Sequence, residues 1–494
     1  MSDILFGQSY YLRFDPKLFA ASQPYPPLGT MYAASYLRAR GYDVALFDAM
    51  LAESEAEWAA ALDRARPRFA VLFEDNFNYL SKMCLLRMRE AAFTMIDLAK
   101  AHNCTVILCG ADATDHADLY FARGADFVLL GEGEATLGEL LDCLAKHPER
   151  SEAQSKDALA GILGLASRTT QHGPRRPDLT RLDELPFPAW DLIDVEKYRA
   201  IWRERHGYFS MNMVTTRGCP YHCNWCAKPI WGQRYNVRSP QNVAAEMKWL
   251  KDTYRPDHIW FADDIFGLKP GWIEKFGLLV KEQQAALPFK CLSRADLIKP
   301  SVVAGLKQAG CQIVWMGAES GSQKILDAMD KGTTVTQIYE ARQLLGEAGI
   351  KVAFFLQFGY PGETRADVEA TLKLVRETLP DDIGISVSYP LPGTKFYERV
   401  KAQLGAKQNW TDSDDLAMLY RGPFPQEFYR VLHRVVHAEF RMRQARQALQ
   451  RGFNLRKFAS IPYHWWLWQI NRWRLNRLDR AATSDRMGAP SEAR

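Results

Sequence analysis

Three cysteines stand within eight residues near the middle of the chain, and their spacing constrains the fold more than any other feature. Cys219, Cys223 and Cys226 form a C-x3-C-x2-C pattern directly after an apolar run that predicts a strand. A structural zinc site or a fully ligated iron–sulfur cube takes four protein ligands, whereas this stretch supplies three. The pattern therefore indicates a four-iron centre with one iron open to a cofactor or substrate. A zinc knuckle or three buried free thiols is the alternative.

This arrangement resembles the signature of the radical S-adenosylmethionine (SAM) superfamily. The resemblance implies that Cys219, Cys223 and Cys226 hold a 4Fe–4S cluster and that the methionyl group of SAM binds its open iron. It also implies that Trp225, the aromatic residue before the last cysteine, packs against the cluster and the adenine of SAM.

The composition bounds the class of protein. The chain has 494 residues, which exceeds the usual size of a single core, so two or three domains are expected. It is 47% hydrophobic and 24% charged, and its formal net charge of +5 is small for this length, so we expect no nucleic-acid partner. There is no apolar run of 18 residues and no basic leader, and the nine cysteines lack the dense spacing of a disulfide framework. These features predict a cytoplasmic protein with reduced thiols.

Residues 1–146 alternate between short apolar runs and helical patterns, which is typical of a doubly wound α/β sheet. The predicted strands cover residues 3–9, 43–47, 69–73, 105–110 and 127–131. The predicted helices cover residues 28–40, 55–64, 82–101, 113–122 and 135–145. Sheets of this kind bind ligands beyond the carboxyl ends of their strands.

Two segments of this region resemble the Rossmann-like cobalamin-binding domains that are fused to many radical SAM enzymes. They are residues 25–30 (YPPLGT), at the start of a predicted helix, and residues 130–134 (LGEGE), after the last strand. Glycines there would let the backbone approach a flat macrocycle. No D-x-H-x-x-G motif with a cobalt-binding histidine occurs, and His116 lies at a different spacing, so a domain without a ligand is the alternative. The implied cobalamin-binding residues are Pro27, Leu28, Gly29, Gly110, Gly131, Glu132 and Gly133.

A connector is predicted over residues 147–208, followed by a second α/β unit over residues 209–400. The connector begins with the polar run 147–156 and has a strand candidate at 162–167 and an extended segment around Pro186 and Pro188. Six strand–helix units follow, which predict a partial (βα)6 barrel, the catalytic fold that the resemblance implies, with its chemistry in the loops after the strands. The predicted strands cover residues 209–214, 258–261, 289–293, 312–317, 351–358 and 383–389.

The loops after these strands carry motifs that resemble the SAM site of the family. The paired aspartates after the second strand would accept hydrogen bonds from the amino group or ribose, although helix capping by Asp264 is the alternative. Arg294, after the third strand, offers a planar fork for the SAM carboxylate. Any one motif also fits an ordinary turn, but the motifs occur in the family order. Besides Trp225, the implied SAM-binding residues are Asp263, Asp264, Arg294, Glu319, Ser320, Gly359 and Pro361. No catalytic side chain is assigned.

Beyond the barrel, residues 401–480 form a helical region, with a predicted helix at 426–451. Residues 463–480 combine aromatic and arginine side chains, a pattern that is compatible with peripheral contact with a membrane surface or a partner. A helix packed on the protein's own barrel is the alternative. Residues 481–494 are polar and predict a disordered tail.

The resemblance implies a reaction. Reductive cleavage of SAM, with electrons from a donor such as flavodoxin or ferredoxin, would give methionine and a 5'-deoxyadenosyl radical that abstracts hydrogen from an unreactive carbon of a small-molecule substrate. Cobalamin would then deliver a methyl group to that carbon. The group that the chain resembles also includes anaerobic magnesium-protoporphyrin ester cyclases, so oxidative cyclisation or rearrangement of a tetrapyrrole or lipid is one alternative. A non-catalytic cobalamin or redox sensor is another.

Overall fold

The computed structural model describes most of the chain. The described residues are 2–83, 85–146, 159, 161–168, 173–228, 230–404, 410–411, 413–414, 416–452 and 454–488. The polar run predicted at 147–156 and the last six residues of the predicted tail lie outside them.

The amino-terminal region is a mostly parallel sheet flanked by helices. Its strands are β1 (Ile4–Gly7), β2 (Val44–Leu46), β3 (Phe69–Phe73), β4 (Thr105–Cys109), β5 (Phe127–Leu129) and β6 (Leu165–Ser167). Its helices are α1 (Pro16–Ala21), α2 (Leu28–Ala39), α3 (Ala56–Ala65), α4 (Tyr79–Lys82), α5 (Leu86–Ala101), α6 (Ala111–Asp115), α7 (Ala117–Arg123) and α8 (Glu134–Lys146). Because helices cover both faces, the central strands are continuously apolar and buried.

The strand order of this sheet is β2-β1-β3-β4-β5-β6, in which β6 alone runs antiparallel. The first five strands have the doubly wound order 2-1-3-4-5, so the prediction of a Rossmann-like sheet is confirmed. In this order the direction of winding reverses between β1 and β3, which is where such sheets leave a crevice for ligands. The sheet also takes in β6, which the sequence placed in the connector.

A helix and a six-stranded parallel sheet follow. The helix is α9 (Val195–His206), which the sequence did not predict within the connector. The sheet consists of β7 (Ser210–Met213), β10 (His258–Phe261), β11 (Phe289–Ser293), β12 (Cys311–Glu319), β13 (Lys351–Phe358) and β14 (Asp382–Val387), while β8 (Thr216–Arg217) and β9 (Asn236–Val237) form a separate hairpin after β7. The intervening helices are α10 (Pro240–Thr253), α11 (Trp272–Glu282), α12 (Pro300–Ala309), α13 (Gln323–Ala328), α14 (Val335–Glu347) and α15 (Arg365–Thr378).

The six strands stand in the order in which they occur along the chain, and β7 and β14 form the two edges. The partial (βα)6 barrel is therefore confirmed. Local signals set where its helices begin: Ser239 caps α10, with Pro240 at its first position, and Thr334 and Thr364 form capping boxes at α14 and α15.

The carboxy-terminal region is helical, as predicted. It contains α16 (Lys395–Val400), α17 (Gln426–Arg451) and α18 (Leu455–Gly488). Helices α17 and α18 pack along each other, and α18 includes residues 463–480 and the first eight residues of the predicted tail. Among the described residues, no helix is both long and apolar enough to span a bilayer.

One hydrophobic core joins the amino-terminal sheet to the barrel. Leu28, Met31 and Tyr32 of α2 are buried in the same cluster as Met211 and Met213 of β7. The two α/β units therefore share packed side chains, and the carboxyl end of the first sheet lies against the barrel.

Candidate active site

The cysteine loop begins where β7 ends, and Asp263 fixes its first residues. The Asp263 carboxylate, which follows β10, accepts hydrogen bonds from the backbone N–H groups of Thr215 at 2.7 Å and Thr216 at 2.6 Å, and from both threonine hydroxyls. Burial raises the pKa of Asp263 to about 6, although these hydrogen bonds oppose the rise. The sequence suggested that Asp263 contacts SAM, but its oxygens are committed to the loop. Asp264 is exposed, and its charge raises the pKa of Cys226.

Arg217 ties the cysteine loop to the amino-terminal domain, and Gly218 shapes the backbone just before Cys219. Arg217 donates to Glu132 at 2.9 Å and to Glu134 at 2.7 Å, and all three side chains are buried. Glu132, which the sequence assigned to cobalamin, is thus a partner of the barrel. Gly218 has φ of 82°, and a Cβ there would collide with the carbonyl oxygen of Arg234, so glycine is required just before Cys219.

Asn224, between the second and third cysteines, anchors the middle of the loop. Its side chain donates to the carbonyl of Ala328 at 2.8 Å and accepts from the hydroxyl of Tyr360 at 2.7 Å. Its backbone N–H donates to Met329 at 3.0 Å, and its carbonyl accepts from Phe396 at 3.0 Å. Sequence reasoning missed this residue, because an asparagine between two predicted metal ligands gives no signal of the distant groups that it joins.

The three thiols of the loop interact electrostatically with one another. Burial, the carboxylate of Asp264 and the nearby thiols of Cys219 and Cys223 together raise the pKa of Cys226 to about 12, although the ammonium of Lys228 opposes the rise. None of the three is in a disulfide. Across the described residues, no three His, Cys, Asp or Glu side chains converge on the position of a single metal ion.

Cationic groups face the second cysteine. The guanidinium of Arg294 lies 3.9 Å from the sulfur of Cys223, stacks 3.5 Å from the ring centroid of Tyr221, and donates to Asp296 at 3.0 Å and to the carbonyl of Lys331 at 2.9 Å. The guanidinium of Arg294, which the sequence assigned to the SAM carboxylate, therefore already has hydrogen-bond partners within the chain. Because a thiolate cluster is anionic, a buried guanidinium beside a ligand sulfur suits that donor set.

A second buried cation lies beside Cys223. The ammonium of Lys331 pairs with Glu319 at 2.8 Å, and both side chains are buried. Burial would lower the pKa of Lys331, but the Glu319 carboxylate and the Cys223 thiol raise it overall. Glu319 has φ of 55° at the end of β12, an unusual conformation for a residue with a Cβ. The structure thus gives this implied SAM contact an ion-pair partner, and the hydroxyl of Ser320 meets that of Thr371 at 3.1 Å.

The remaining implied SAM residues lie at the ends of the last two strands and in the cysteine loop. Gly359 has φ of 84°, and its N–H donates to Glu363 at 2.7 Å, which closes the turn that contains Pro361. The ring of Trp225 meets that of Tyr389 edge-on at 6.4 Å. Its buried indole N–H has no hydrogen-bond partner among the described residues, so this donor is available to a ligand.

Further buried polar atoms at this end of the barrel are unsatisfied, and the sequence did not point to all of them. Both amide atoms of Gln357 on β13 and the hydroxyls of Thr333 and Ser388 have no partner within the described part of the chain. An unpaired buried polar group costs about 1–3 kcal/mol, so several together indicate a polar ligand. Amides, hydroxyls and an indole N–H suit the amino acid, ribose and adenine groups of SAM, so the donor set fits this cofactor.

In the amino-terminal sheet, the glycines implied in cobalamin binding lie close to other residues of the chain. A Cβ on Gly110 would collide with the side chain of Glu74, and one on Gly133 would collide with Cys109 and Phe73. Gly29 approaches the backbone of residues 74–76, and Gly131 approaches Arg175. These close approaches are to the chain's own atoms and do not leave an open cradle. Pro27 and Leu28 are buried at the start of α2.

Unsatisfied polar atoms nevertheless occur at the carboxyl edge of this sheet. The side-chain oxygen of Asn76 and the hydroxyl of Ser81 are buried without a partner among the residues that the structure describes. Both residues follow β3, one of the two strands between which the winding reverses. Hydroxyl and amide oxygens there suit the peripheral amides of cobalamin. The adjacent cavity, lined by Ser9, Glu74 and Ser81, is only about 20 Å³, so a macrocycle requires these segments to move apart.

Comparison with known proteins agrees with this geometry. A family model described as the radical SAM superfamily matches residues 213–375. An uncharacterized methyltransferase of Pyrococcus horikoshii is 30% identical over 394 residues, which cover 78% of this chain and 81% of that protein. The hopanoid C-3 methylase of Methylococcus capsulatus is 27% identical, with 82% and 74% covered. An anaerobic magnesium-protoporphyrin IX monomethyl ester cyclase of Rubrivivax gelatinosus is 25% identical, with 76% and 66% covered.

Among solved structures, the cobalamin-dependent SAM radical enzyme OxsB with aqua-cobalamin bound superposes with a TM-score of 0.70. That likeness covers 96% of this chain and 72% of OxsB at 17% identity, and it shows the shared fold. The cysteine loop at the barrel edge, the family match over the barrel and the extent of the sequence similarity together establish that the chain belongs to the radical SAM superfamily.

Proposed function

We propose that this protein is a cobalamin-dependent radical SAM enzyme that methylates an unactivated carbon of a small molecule. One observation carries the proposal: three free thiols meet two buried cations and several unsatisfied polar atoms at the carboxyl edge of the barrel. The Pyrococcus horikoshii and Methylococcus capsulatus relatives, a methyltransferase and a methylase by name, support methylation as the outcome. In this proposal residues 209–400 hold the cluster and SAM, and residues 1–146 hold cobalamin.

The chain's own residues would bind and orient the cofactors. Cys219, Cys223 and Cys226 would hold a 4Fe–4S cluster, which when bound supplies the electron for the reductive cleavage of SAM. Arg294 and Lys331 would balance the negative charge of the thiolates from the Cys223 side. The indole N–H of Trp225, the Gln357 amide and the Ser388 hydroxyl are buried, so they would orient SAM where water is excluded.

The same reasoning assigns cobalamin to the carboxyl edge of the first sheet. Asn76 and Ser81 would hold it through their unsatisfied oxygens. When bound, cobalamin supplies a methyl group carried on cobalt. The Arg217 ion pairs with Glu132 and Glu134 hold this edge against the cysteine loop, so the chain keeps the two cofactor sites side by side.

Oxidative cyclisation is the second candidate, because the Rubrivivax gelatinosus relative is named as a cyclase. Product mass separates the two outcomes. A gain of one methylene unit supports methylation, whereas a gain of oxygen with a loss of hydrogen supports cyclisation. A non-catalytic cobalamin or redox sensor would release no 5'-deoxyadenosine at all.

Anaerobic reconstitution tests the proposal. We expect about four irons per chain, cobalamin absorption bands, and 5'-deoxyadenosine when SAM and a strong reductant are added. Replacing Cys219, Cys223 and Cys226 together by alanine should abolish iron binding, while Cys143→Ala, outside the loop, should retain it. A triple variant with full iron content would contradict the ligand assignment. Loss of iron from the Cys143 variant would show that the assay reports general instability.

Two partners belong to the same proposal. The electron donor would be a reduced flavodoxin or ferredoxin, and its test is SAM cleavage with that protein in place of a chemical reductant.

A membrane surface would contact α18, on which Tyr463, Trp466 and Trp473 are exposed. A cleft of about 290 Å³ between α17 and α18 is lined by Arg434 and Arg441 and by no carboxylate, which favours anionic headgroups.

Vesicle flotation checks the membrane contact. The protein should float with vesicles that contain phosphatidylglycerol, and the variant with both Trp466 and Trp473 replaced by alanine should not. Phe19→Ala, an exposed aromatic on α1, is the matched control. Equal flotation of all three proteins would exclude contact through α18.

A further inference from the structure

The inner face of the barrel differs sharply from its outer face. Successive residues of a strand point to opposite sides of the sheet. On β10 to β13 the outward residues are fully buried under the helices, as Ile259, Phe289, Val314 and Phe354 show. Several of the alternate residues remain partly open, among them Trp260, Lys290 and Trp315, and Phe355 has an exposed fraction of 39%. In a closed barrel both rows would be buried, so the lumen of this six-stranded partial barrel is accessible.

Two aromatic rings form a shelf in this lumen. Trp315 on β12 and Phe355 on β13 lie with their ring centroids 4.7 Å apart. A Cβ on Gly384 of β14 would stand 3.3 Å from each ring, closer than ordinary contact, so glycine makes room for the shelf. Exposed aromatic rings that are rimmed by strands mark a binding surface for apolar groups.

A lysine without an anionic partner lies in the same lumen. Lys290, between the buried Phe289 and Cys291 on β11, places its ammonium 4.9 Å from the Trp260 ring and 5.4 Å from the Tyr25 ring. No carboxylate within the described ranges comes within ion-pair distance of it, and burial lowers its pKa to about 8. A cation held by rings alone is incompletely neutralised and attracts an anion.

The shelf continues into the proposed active site. Gly317 follows Trp315 by two residues on the same inward row, roughly 7 Å along the strand. A Cβ on Gly317 would collide with the Glu319 and Lys331 side chains, so their ion pair lies directly over it, and Lys331 neighbours Cys223. The lumen therefore runs from Lys290, past the shelf, to the proposed cluster site.

We infer that this lumen binds an amphiphilic substrate whose apolar body lies on the Trp315 and Phe355 rings and whose carboxylate or phosphate pairs with Lys290. The inference rests on the proposed function, since it places the substrate of that reaction. The apolar body would extend toward the proposed SAM site, so the reacting carbon lies in the apolar part of the molecule, away from the anionic end.

Binding of simple amphiphiles to the reconstituted full chain tests the inference. Dodecanoate, dodecyl phosphate and dodecanol, titrated below their micelle concentrations, separate the anionic group from the apolar body. We expect dodecanoate or dodecyl phosphate to bind at least tenfold more tightly than dodecanol. The tighter of the two anions identifies a carboxylate or a phosphate. Equal affinity for all three would overturn the pairing with Lys290.

Variants locate the site. Lys290→Met should weaken binding of the anion at least tenfold without changing that of dodecanol, and Lys290→Arg should retain most of it. Lys275→Met, an exposed lysine on helix α11 outside the barrel, is the matched control. Phe355→Ala should weaken all three ligands. An unchanged affinity of the Lys290→Met variant would refute the inference.

A measurement on the unaltered chain guards against misfolded variants. Bound anion should protect Lys290 from acetylation, as quantified by mass spectrometry, whereas dodecanol should not. Absence of protection at saturating anion would refute the inference. Because SAM cleavage to 5'-deoxyadenosine is measured separately, a chain that cleaves SAM but ignores amphiphiles disproves the substrate class alone.

Discussion

Arg217 of the barrel donates to Glu132 of the amino-terminal domain at 2.9 Å, and the two side chains are only 4% and 5% exposed. Glu134 accepts a second bond from the same guanidinium, so one arginine joins the cysteine loop to both acids. Burial raises the pKa of Glu132, and the neighbouring Arg217 opposes that rise. A buried ion network of this kind holds the two domains in one arrangement, since breaking it leaves charges without partners.

Removing the side-chain charge of Arg217 should destabilise the folded protein. Arg217→Met leaves Glu132 and Glu134 buried without a cation, so we expect a loss of about 3–5 kcal/mol in the free energy of unfolding. Urea denaturation measures this free energy of unfolding. Adding Glu132→Gln should restore part of that loss, because one uncompensated charge is removed. Arg181→Ala, from an exposed ion pair, should change stability little. If Arg217→Met lowered the free energy of unfolding only slightly, the ion pairs would contribute little to holding the two domains together.

The two adjacent aspartates should behave differently. Asp263→Asn places an amide among N–H donors of Thr215 and Thr216, so we expect the loop to loosen and the iron content to fall by more than half. Asp264→Asn alters an exposed side chain and should retain iron. Iron analysis after reconstitution distinguishes them. If Asp263 contacted SAM and not the loop, its variant would keep full iron and lose only SAM affinity.

Asn224 and Tyr360 should act as a unit. Tyr360→Phe removes the hydroxyl that donates to Asn224 and that also meets the carbonyl of Ala328 at 2.9 Å and Arg399 at 3.4 Å, so we expect a cost of about 1 kcal/mol or more. Asn224→Ala also removes the bonds of the asparagine amide and should cost more. In a double-mutant cycle the two losses should fall short of additivity, with a coupling of about 0.5–3 kcal/mol. Tyr339→Phe, whose hydroxyl meets an exposed glutamate, is the control for the same substitution. Additive losses would show that the hydrogen bond contributes nothing to stability.

Glu363 should make stability depend on pH. Burial raises its pKa to about 8, against 4.5 for the free side chain. Between these values the folded state binds more protons than the unfolded state, so this residue lowers stability as the pH rises from about 5 to 8. Glu363→Gln should remove that decline, by about 1.4 kcal/mol for each unit of pKa difference. Unfolding at several pH values tests it, with the exposed Glu340→Gln as control. Parallel pH profiles for the wild type and the Glu363 variant would contradict the assignment.

The sequence by itself determined the order of elements and pointed to the loop that is predicted to bind the cluster. Strand periods, capping residues and the spacing of Cys219, Cys223 and Cys226 are local signals, so β10, β11 and β13 have the bounds that their patterns predict. Three cysteines within eight residues lie on one loop whatever the rest of the chain does. Family motifs after the strands likewise indicated which end of the barrel holds the site.

Only the tertiary structure decided what each polar residue contacts. Asp263 supports the loop, Arg294 lies against Cys223, and Glu132 pairs across the domains, although each had been assigned to a cofactor. Gly133 makes room for Cys109, and Lys290 meets the Trp260 ring but no carboxylate in the described part of the chain. These contacts join residues far apart in the chain, and a hydrogen bond or ion pair forms only where packing brings donor and acceptor within about 3 Å. Local sequence sets the direction of a strand, but the assembled core determines its neighbours.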